Sequence, residues 1–203
     1  MGTRISFAAY TTEALDGSAV HHALAEGMAA VRRIEAKMTT WRDDSEVSQI
    51  NAHAGGDAVR VGADTLTVIQ KSLWIAEQSG GVFDITFASM GKLWRFDQDL
   101  TPAVPDAADI AQARRRIDYR RIALNPKART VQLTDGAQRI DLGGIAKGYA
   151  IDAAARAMRA AGLAAFYAQA GGDLYVAGRK PEGARWRVGV RDPRGPESTY
   201  FAL

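Results

Sequence analysis

The chain reads as an α+β protein, and two features of its patterning point there. Apolar residues recur at helical spacing in some stretches and alternate with a period of two in others, yet the two kinds interleave without a regular βαβ repeat. The alternating stretches are short and come in neighbouring pairs joined by turn residues, as antiparallel strands do. With 203 residues, 47% hydrophobic and 24% charged, the chain can bury a substantial core in one domain or two closely packed lobes.

Ile5, Phe7 and Ala9 alternate with smaller or polar neighbours, so residues 3 to 10 are expected to open the fold as a half-buried strand. Val20, Leu24, Met28, Val31, Ile34 and Met38 then mark the buried stripe of a long helix from about Ser18 to Lys37. A polar loop, Thr39 to Gly56, carries Trp41 and a short helix capped by Asp44 or Ser45. Leu66, Ile69, Leu73 and Ala76 define a helix over Ala63 to Gln78, stopped by Gly80 and Gly81. A short apolar segment, Val82 to Thr86, runs into Phe87 to Trp94, and Asp84 near its end is expected to cap a turn.

Pro102 and Pro105 punctuate the next loop, and Asp106 to Arg116 is a third helix. Arg121 to Leu124 and Thr130 to Leu133 flank Asn125-Pro126-Lys127-Ala128, the pattern of a hairpin. Ala165 to Ala170, Leu174 to Ala177 and Trp186 to Val190 read as further strands, and residues 199 to 203 as the beginning of another. Between the hairpin and these strands lies a helix expected from about Ile145 to Ala161, with Ile151, Ala154, Ala155 and Met158 on its apolar side and Gly162 as its stop.

The start of that helix is the most informative part of the chain. Ile140-Asp141-Leu142-Gly143-Gly144-Ile145-Ala146-Lys147 places an acid, two glycines and a lysine where a strand is expected to become a helix. A helix N-terminus offers unpaired N–H groups and the positive end of its dipole, so a lysine in the first turn suggests an anion between them, and phosphate is the natural choice. Asp141 is then placed for a metal or a sugar hydroxyl. The same residues also fit an ordinary strand, tight turn and helix whose glycines serve only the backbone. Neither the P-loop pattern nor the GxGxxG dinucleotide fingerprint is matched.

Composition excludes other chemistries. There is no cysteine, hence no disulfide, thiolate catalysis or cysteine-based zinc site, and no apolar run approaches the ~20 residues that span a bilayer. A net charge of +3 spread over scattered arginines does not call for nucleic acid, and the runs Arg114-Arg115-Arg116 and Arg120-Arg121 read as a solvated helix end and strand edge. His21, His22 and His53 match no catalytic pattern.

Taken together, several segments resemble the ApbE family of flavin transferases. They are Met1-Gly2-Thr3; Met38-Thr39-Thr40-Trp41 through Ser45-Glu46 to Asn51; Gly81-Val82-Phe83-Asp84-Ile85-Thr86 with Leu93-Trp94; Asp141 to Asp152; and Gly171-Gly172-Asp173 with Trp186 to Pro193. The resemblance implies an ApbE-like, T-fold-like mixed sheet with flanking helices, and Mg2+-dependent transfer of FMN from FAD to a threonine or serine hydroxyl of a target protein, with AMP released. It also implies roles for particular residues. Met1, Trp41 and the Ala88-Ser89-Met90 turn would face the flavin and its adenosine, Asp141 and Lys147 would hold FAD, and Gly144 would present a carbonyl to the metal.

Later segments of the family, Ser-Gly, H-P-x-T-G and D-A-x-x-T, are not matched, so residues 1–203 are expected to form a flavin-transferase domain incomplete at its C-terminus, with its catalytic residues in the missing part. A non-catalytic FAD-binding or scaffold module and a FAD pyrophosphatase are the alternatives. Family members usually work in the periplasm or as inner-membrane lipoproteins; no leader is legible here, and any membrane association is expected to need a leader or lipid anchor that the sequence lacks.

Overall fold

The computed structural model describes residues 2–91, 93, 104–195 and 200–202, apart from the side chains of residues 182, 191 and 200–202. Met1, Trp94, Pro102, Thr199 and Leu203 thus lie outside the described residues. Two compact units are present, Met1–Gly2 with Ala30–Ala150, and Thr3–Ala29 with Ile151–Leu203, and the division falls within two long helices, α1 (Gly17–Met38) and α5 (Gly143–Ala160). Among the described residues no helix is long and apolar enough to cross a membrane.

In the second unit, β1 (Ile5–Ala9), β5 (Phe166–Ala170) and β6 (Asp173–Ala177) form an antiparallel sheet in the order β1-β5-β6, with Ile5 opposite Ala170 and Phe166 opposite Ala177. Alternation divides the central strand as expected: Phe166, Ala168 and Ala170 are buried, while Tyr167 and Gln169 are only partly covered. Of the expected α1 stripe, Val20, Val31, Ile34 and Met38 are buried. In this unit Val20 is joined by Ala23 and Gly27 on the buried side, whereas Leu24 and Met28 are half-buried. The reason is close approach, since a Cβ on Gly27 would lie 2.8 Å from Met158 Cγ of α5, so the small residues mark the packed side.

The strand expected at Trp186 to Val190 shrinks to β7 (Gly189–Arg191), which pairs with β8 (Tyr200–Ala202). Trp186 is not part of it because its indole, not its backbone, meets β6: Nε1 donates to Ala177 O at 2.9 Å and the ring lies edge-on to Tyr167, 6.0 Å between centroids.

In the first unit, β2 (Val59–Arg60), β4 (Thr130–Leu133) and β3 (Ile122–Asn125) form a second antiparallel sheet with Val131 and Leu133 buried. Around them lie α2 (Glu46–Ala52), α3 (Ala63–Gln78) and α4 (Ala107–Arg114). Each starts as the sequence suggests. Ser45, rather than Asp44, caps α2 by accepting from Ser48 N at 3.0 Å, and Asp106 caps α4 by accepting from Ala108 N at 2.7 Å. The apolar segment after α3 is not a strand but leads into a 3-10 turn, Ile85–Met90. Asp84 governs that turn: its carboxylate accepts from Thr86 N at 2.8 Å, from Thr86 Oγ1 at 2.7 Å and, across the fold, from Tyr119 N at 2.9 Å.

Asp84→Ala is expected to lower stability by about 2–3 kcal/mol, since it orphans two part-buried N–H groups, read as a fall in the urea midpoint at unchanged slope. Gly178 has φ +62° and a Cβ there would collide with Ala164 O. Gly178→Ala should therefore cost about 2–4 kcal/mol by the same measurement.

Candidate functional site

The residues before α5 are not a strand, contrary to the sequence expectation. Ile140 and Leu142 are fully buried, yet among the described residues the backbone between them has no sheet neighbour and its polar groups are met one at a time. The Asn51 side chain receives Ile140 N–H at 2.8 Å and donates to Ile140 O at 2.9 Å, which mimics a strand partner. Asp141 N donates to Ile85 O at 3.0 Å, tying the segment to the 3-10 turn.

α5 begins at Gly143, two residues earlier than expected, so Gly143 and Gly144 belong to its first turn and both are exposed. Asp141 Oδ1 accepts from Gly143 N at 2.6 Å, and Oδ2 receives Thr40 Oγ1 at 3.4 Å. An acid just ahead of a helix is favoured by the dipole and satisfies one of its orphan donors. Lys147 is consequently in the second turn and not the first, but its side chain folds back, and Nζ donates to Gly143 O at 2.9 Å. Its ammonium is thereby brought to the mouth of the helix, where the sequence reading needed it.

Asp141, Gly143, Ala146 and Lys147 form one wall of a cavity of about 260 Å³; Glu35 and Met38 from the end of α1 and the loop residues Thr39, Thr40 and Trp41 form the other, with Gly2 at the edge. All of these belong to the first unit. Trp41 is 88% exposed, so its ring covers no core and is available to a ligand. Its loop is held nonetheless: Trp41 N donates to Thr39 Oγ1 at 3.1 Å, Ser45 Oγ to Thr39 O, and Arg42 to both oxygens of Asp44 at 2.7 and 2.9 Å. The hydrogen bond from Arg42 holds the Asp44 carboxyl below the usual carboxylate range. Asp141 also borders a second cavity of about 240 Å³, lined by Phe83, Phe87 and Gly144.

The structure thus brings Trp41, Asp141 and Lys147 to one cavity. Ala88, Ser89 and Met90 fall in the 3-10 turn and do not line either cavity among the described residues. Ser89 is buried, its hydroxyl donating to Arg139 O at 3.1 Å and accepting from Arg139 N at 2.9 Å. Met1 lies outside the described residues. Gly144 is helical, so its carbonyl points along α5 toward residue 148, and a metal there would take the second lone pair of that oxygen. The residues described do not fit a complete magnesium site. No group of three or more His, Asp or Glu converges among them, and Asp141, the carboxylate beside Gly144, is committed to the helix start.

Sequence reasoning missed Glu35 altogether and, although it quoted the segment from Met38 to Asn51, gave no cavity-lining role to Met38 or Thr40 and no clamping role to Asn51. Asn51 carried a signal, a polar amide near the end of a short helix otherwise buried through Val47 and Ile50.

The ApbE family model matches residues 1–203. The FAD:protein FMN transferase of Treponema pallidum is 33% identical over 189 residues, covering 87% of this chain and 52% of that protein, and that of Klebsiella pneumoniae is 30% identical over 169 residues, covering 82% and 48%. The chain therefore spans about half the length of these curated relatives. Among solved structures, the ApbE protein of Thermotoga maritima superposes with a TM-score of 0.80 at 30% identity, over 99% of this chain and 63% of that one. The Vibrio cholerae flavin transferase ApbE gives 0.83 at 22% identity, over 100% and 64%, a likeness of fold. With motifs, fold and the full-length family match in agreement, the chain belongs to the ApbE family.

Proposed function

We propose that the cavity at the start of α5 binds FAD and that the protein takes part in moving FMN from FAD to a threonine or serine hydroxyl of a target protein. The observation that carries this reading is the meeting of three chemically distinct groups in one cavity: a helix N-terminus, the Lys147 ammonium folded over it, and the exposed Trp41 ring. A diphosphate suits the first two, because backbone N–H groups and an ammonium stabilise concentrated negative charge. An isoalloxazine or adenine ring suits the third, since a broad aromatic face gains most from stacking. The names of the relatives, FAD:protein FMN transferase, support the same ligand.

In the transfer step the acceptor hydroxyl oxygen attacks the phosphorus on the FMN side of the diphosphate. A new O–P bond forms and the P–O bond to the bridging oxygen breaks, that oxygen leaving with AMP, while the hydroxyl proton passes to water. Negative charge grows on the phosphoryl oxygens as this happens, and Lys147 with the first turn of α5 is placed to stabilise it. Asp141 fixes that turn in place through Gly143 N. The described residues do not make up a magnesium site, so no part of this step is assigned to a metal. Work outside the cytoplasmic membrane is part of the same reading, by likeness to the family.

The test is incubation with FAD, magnesium and a threonine-bearing acceptor protein, followed by denaturing gel electrophoresis. A fluorescent flavin band supports transfer; release of AMP and free FMN with no band would mean hydrolysis, and saturable FAD binding with neither would mean a binding module. Lys147→Ala is expected to weaken FAD binding, and labelling where it occurs, by at least ~10-fold, the loss of one charge-assisted contact of about 1.5–3 kcal/mol. Trp41→Ala should weaken FAD binding by about 5–10-fold, from about 1–1.4 kcal/mol of lost stacking, with the melting temperature unmoved because the ring covers nothing in the free protein.

A further inference from the structure

We infer that Asp64 is a positioning residue for this site, a carboxylate outside the cavity that sets both of its walls at once and thereby aims Lys147. The inference rests on the FAD-binding reading above. Asp64 lies in the first turn of α3, a helix that contributes no lining residue to the cavity among the described residues. Its carboxylate nevertheless reaches both walls. Oδ2 accepts from Lys37 Nζ at 2.7 Å, and Lys37 immediately precedes Met38, which lines the cavity from α1. Oδ1 accepts from Tyr149 Oη at 3.0 Å, and Tyr149 is two residues beyond Lys147 on α5.

Geometry explains why this tie governs Lys147. Successive residues of an α-helix are about 100° apart, so Tyr149 leaves α5 roughly opposite to Lys147, and a side chain anchored on the far side fixes which way the near side faces. Asp141 already pins the helix start through Gly143 N at 2.6 Å. A second anchor at Tyr149 adds to the buried Ala146 and Ala150 in resisting rotation about the helix axis. One residue of rotation would carry Lys147 away from the Gly143 carbonyl on which its ammonium now rests.

Strength is not what makes this network useful. The Lys37 and Asp64 side chains are 34% and 36% exposed, and ion pairs so open to water add little stability. What the pair supplies is direction, since a carboxylate with one oxygen on each wall ties their positions to each other. α3 is itself anchored at this end, because Gly62, the residue before its first turn, donates its N–H to Glu46 Oε2 of α2 at 3.0 Å. A Cβ at Gly62 would come within 2.9 Å of Glu46 Oε1 and 3.4 Å of Lys37 Nζ, so glycine is what allows the α2 carboxylate and the α1 ammonium to close around the start of α3. Four helices thus converge on one polar cluster behind the cavity.

A double-mutant cycle on the full chain tests the inference, with FAD affinity read by quenching of flavin fluorescence and folding by thermal melting. Tyr149→Phe removes one hydroxyl and is expected to weaken FAD binding about 3–10-fold with little change in melting temperature. Combined with Lys147→Ala, its cost should shrink at least 3-fold below the product of the two single losses, because a misaimed lysine has less to lose; a purely structural tyrosine would leave the two costs multiplicative. Asp64→Ala should behave as Tyr149→Phe does, and if it does not fold the tyrosine variant carries the test alone. Multiplicative costs, or unchanged affinity in Tyr149→Phe, would overturn the positioning role while leaving the FAD reading intact. A wild-type chain that does not bind FAD would remove both.

Discussion

Everything at the candidate site depends on how a buried stretch of backbone without a sheet partner is satisfied. Residues 138–142 run through the first unit with Gln138, Ile140 and Leu142 fully buried, yet among the described residues no strand pairs with them. Buried N–H and C=O groups left unpaired would cost about 1–3 kcal/mol each, so each must be met by something else. Asn51 meets both groups of Ile140, Ile85 O meets Asp141 N, and the Gln138 amide donates to Asp118 O at 2.7 Å. The Ser89 hydroxyl likewise meets both backbone groups of Arg139, and these contacts, from separate parts of the chain, hold the segment that leads into α5.

From that start follow the electrostatics. A helix beginning in open solvent would have its orphan N–H groups met by water, and little would distinguish it as a binding site. Here one donor is taken by Asp141, and the lysine one turn on bends back to the same end. The acid and the ammonium balance each other across the first turn, leaving the exposed glycines Gly143 and Gly144 between them without a side chain in the way. A Cβ on Gly143 would meet Asp141 Oδ1 at 2.8 Å, so the close clamp itself calls for glycine.

Local patterns were legible where one interaction decides the outcome. The α3 boundaries, the Ser45 cap and the hairpin over Ile122 to Leu133 follow from capping residues and periodicity that no distant contact overrides. Lys147 and Asp141 were legible because an acid and a lysine flanking paired glycines at a helix start are unusual on electrostatic grounds. Illegible were the features created by distant residues. Residues 140–142 have the hydrophobicity of a strand but are paired by the Asn51 side chain, 89 positions away from Ile140. Trp186 extends the apolar look of β7, yet it leaves the strand to cap β6 with its indole. Within the α1 stripe only Leu24 and Met28 were overweighted, because periodicity weighs large residues, whereas packing against Met158 selects Gly27. Asp64, Tyr149 and Lys37 carry no shared motif at all, so only folding makes them neighbours.

The exposed Trp41 ring fits the same logic of preparation. A large aromatic left in water on a mobile loop would have to be ordered on binding, at about 0.5–1.5 kcal/mol for the side chain alone and more for its backbone. Thr39, Trp41, Arg42, Asp44 and Ser45 are instead stitched together before any ligand arrives, and the loop is anchored at its far end by the cap of α2. Much of the ordering cost is therefore met during folding, when burial of Val47 and Ile50 holds α2 in place. On the FAD-binding proposal the ring would stack without having first to find its position, since the hydrogen bonds beneath it already hold the loop.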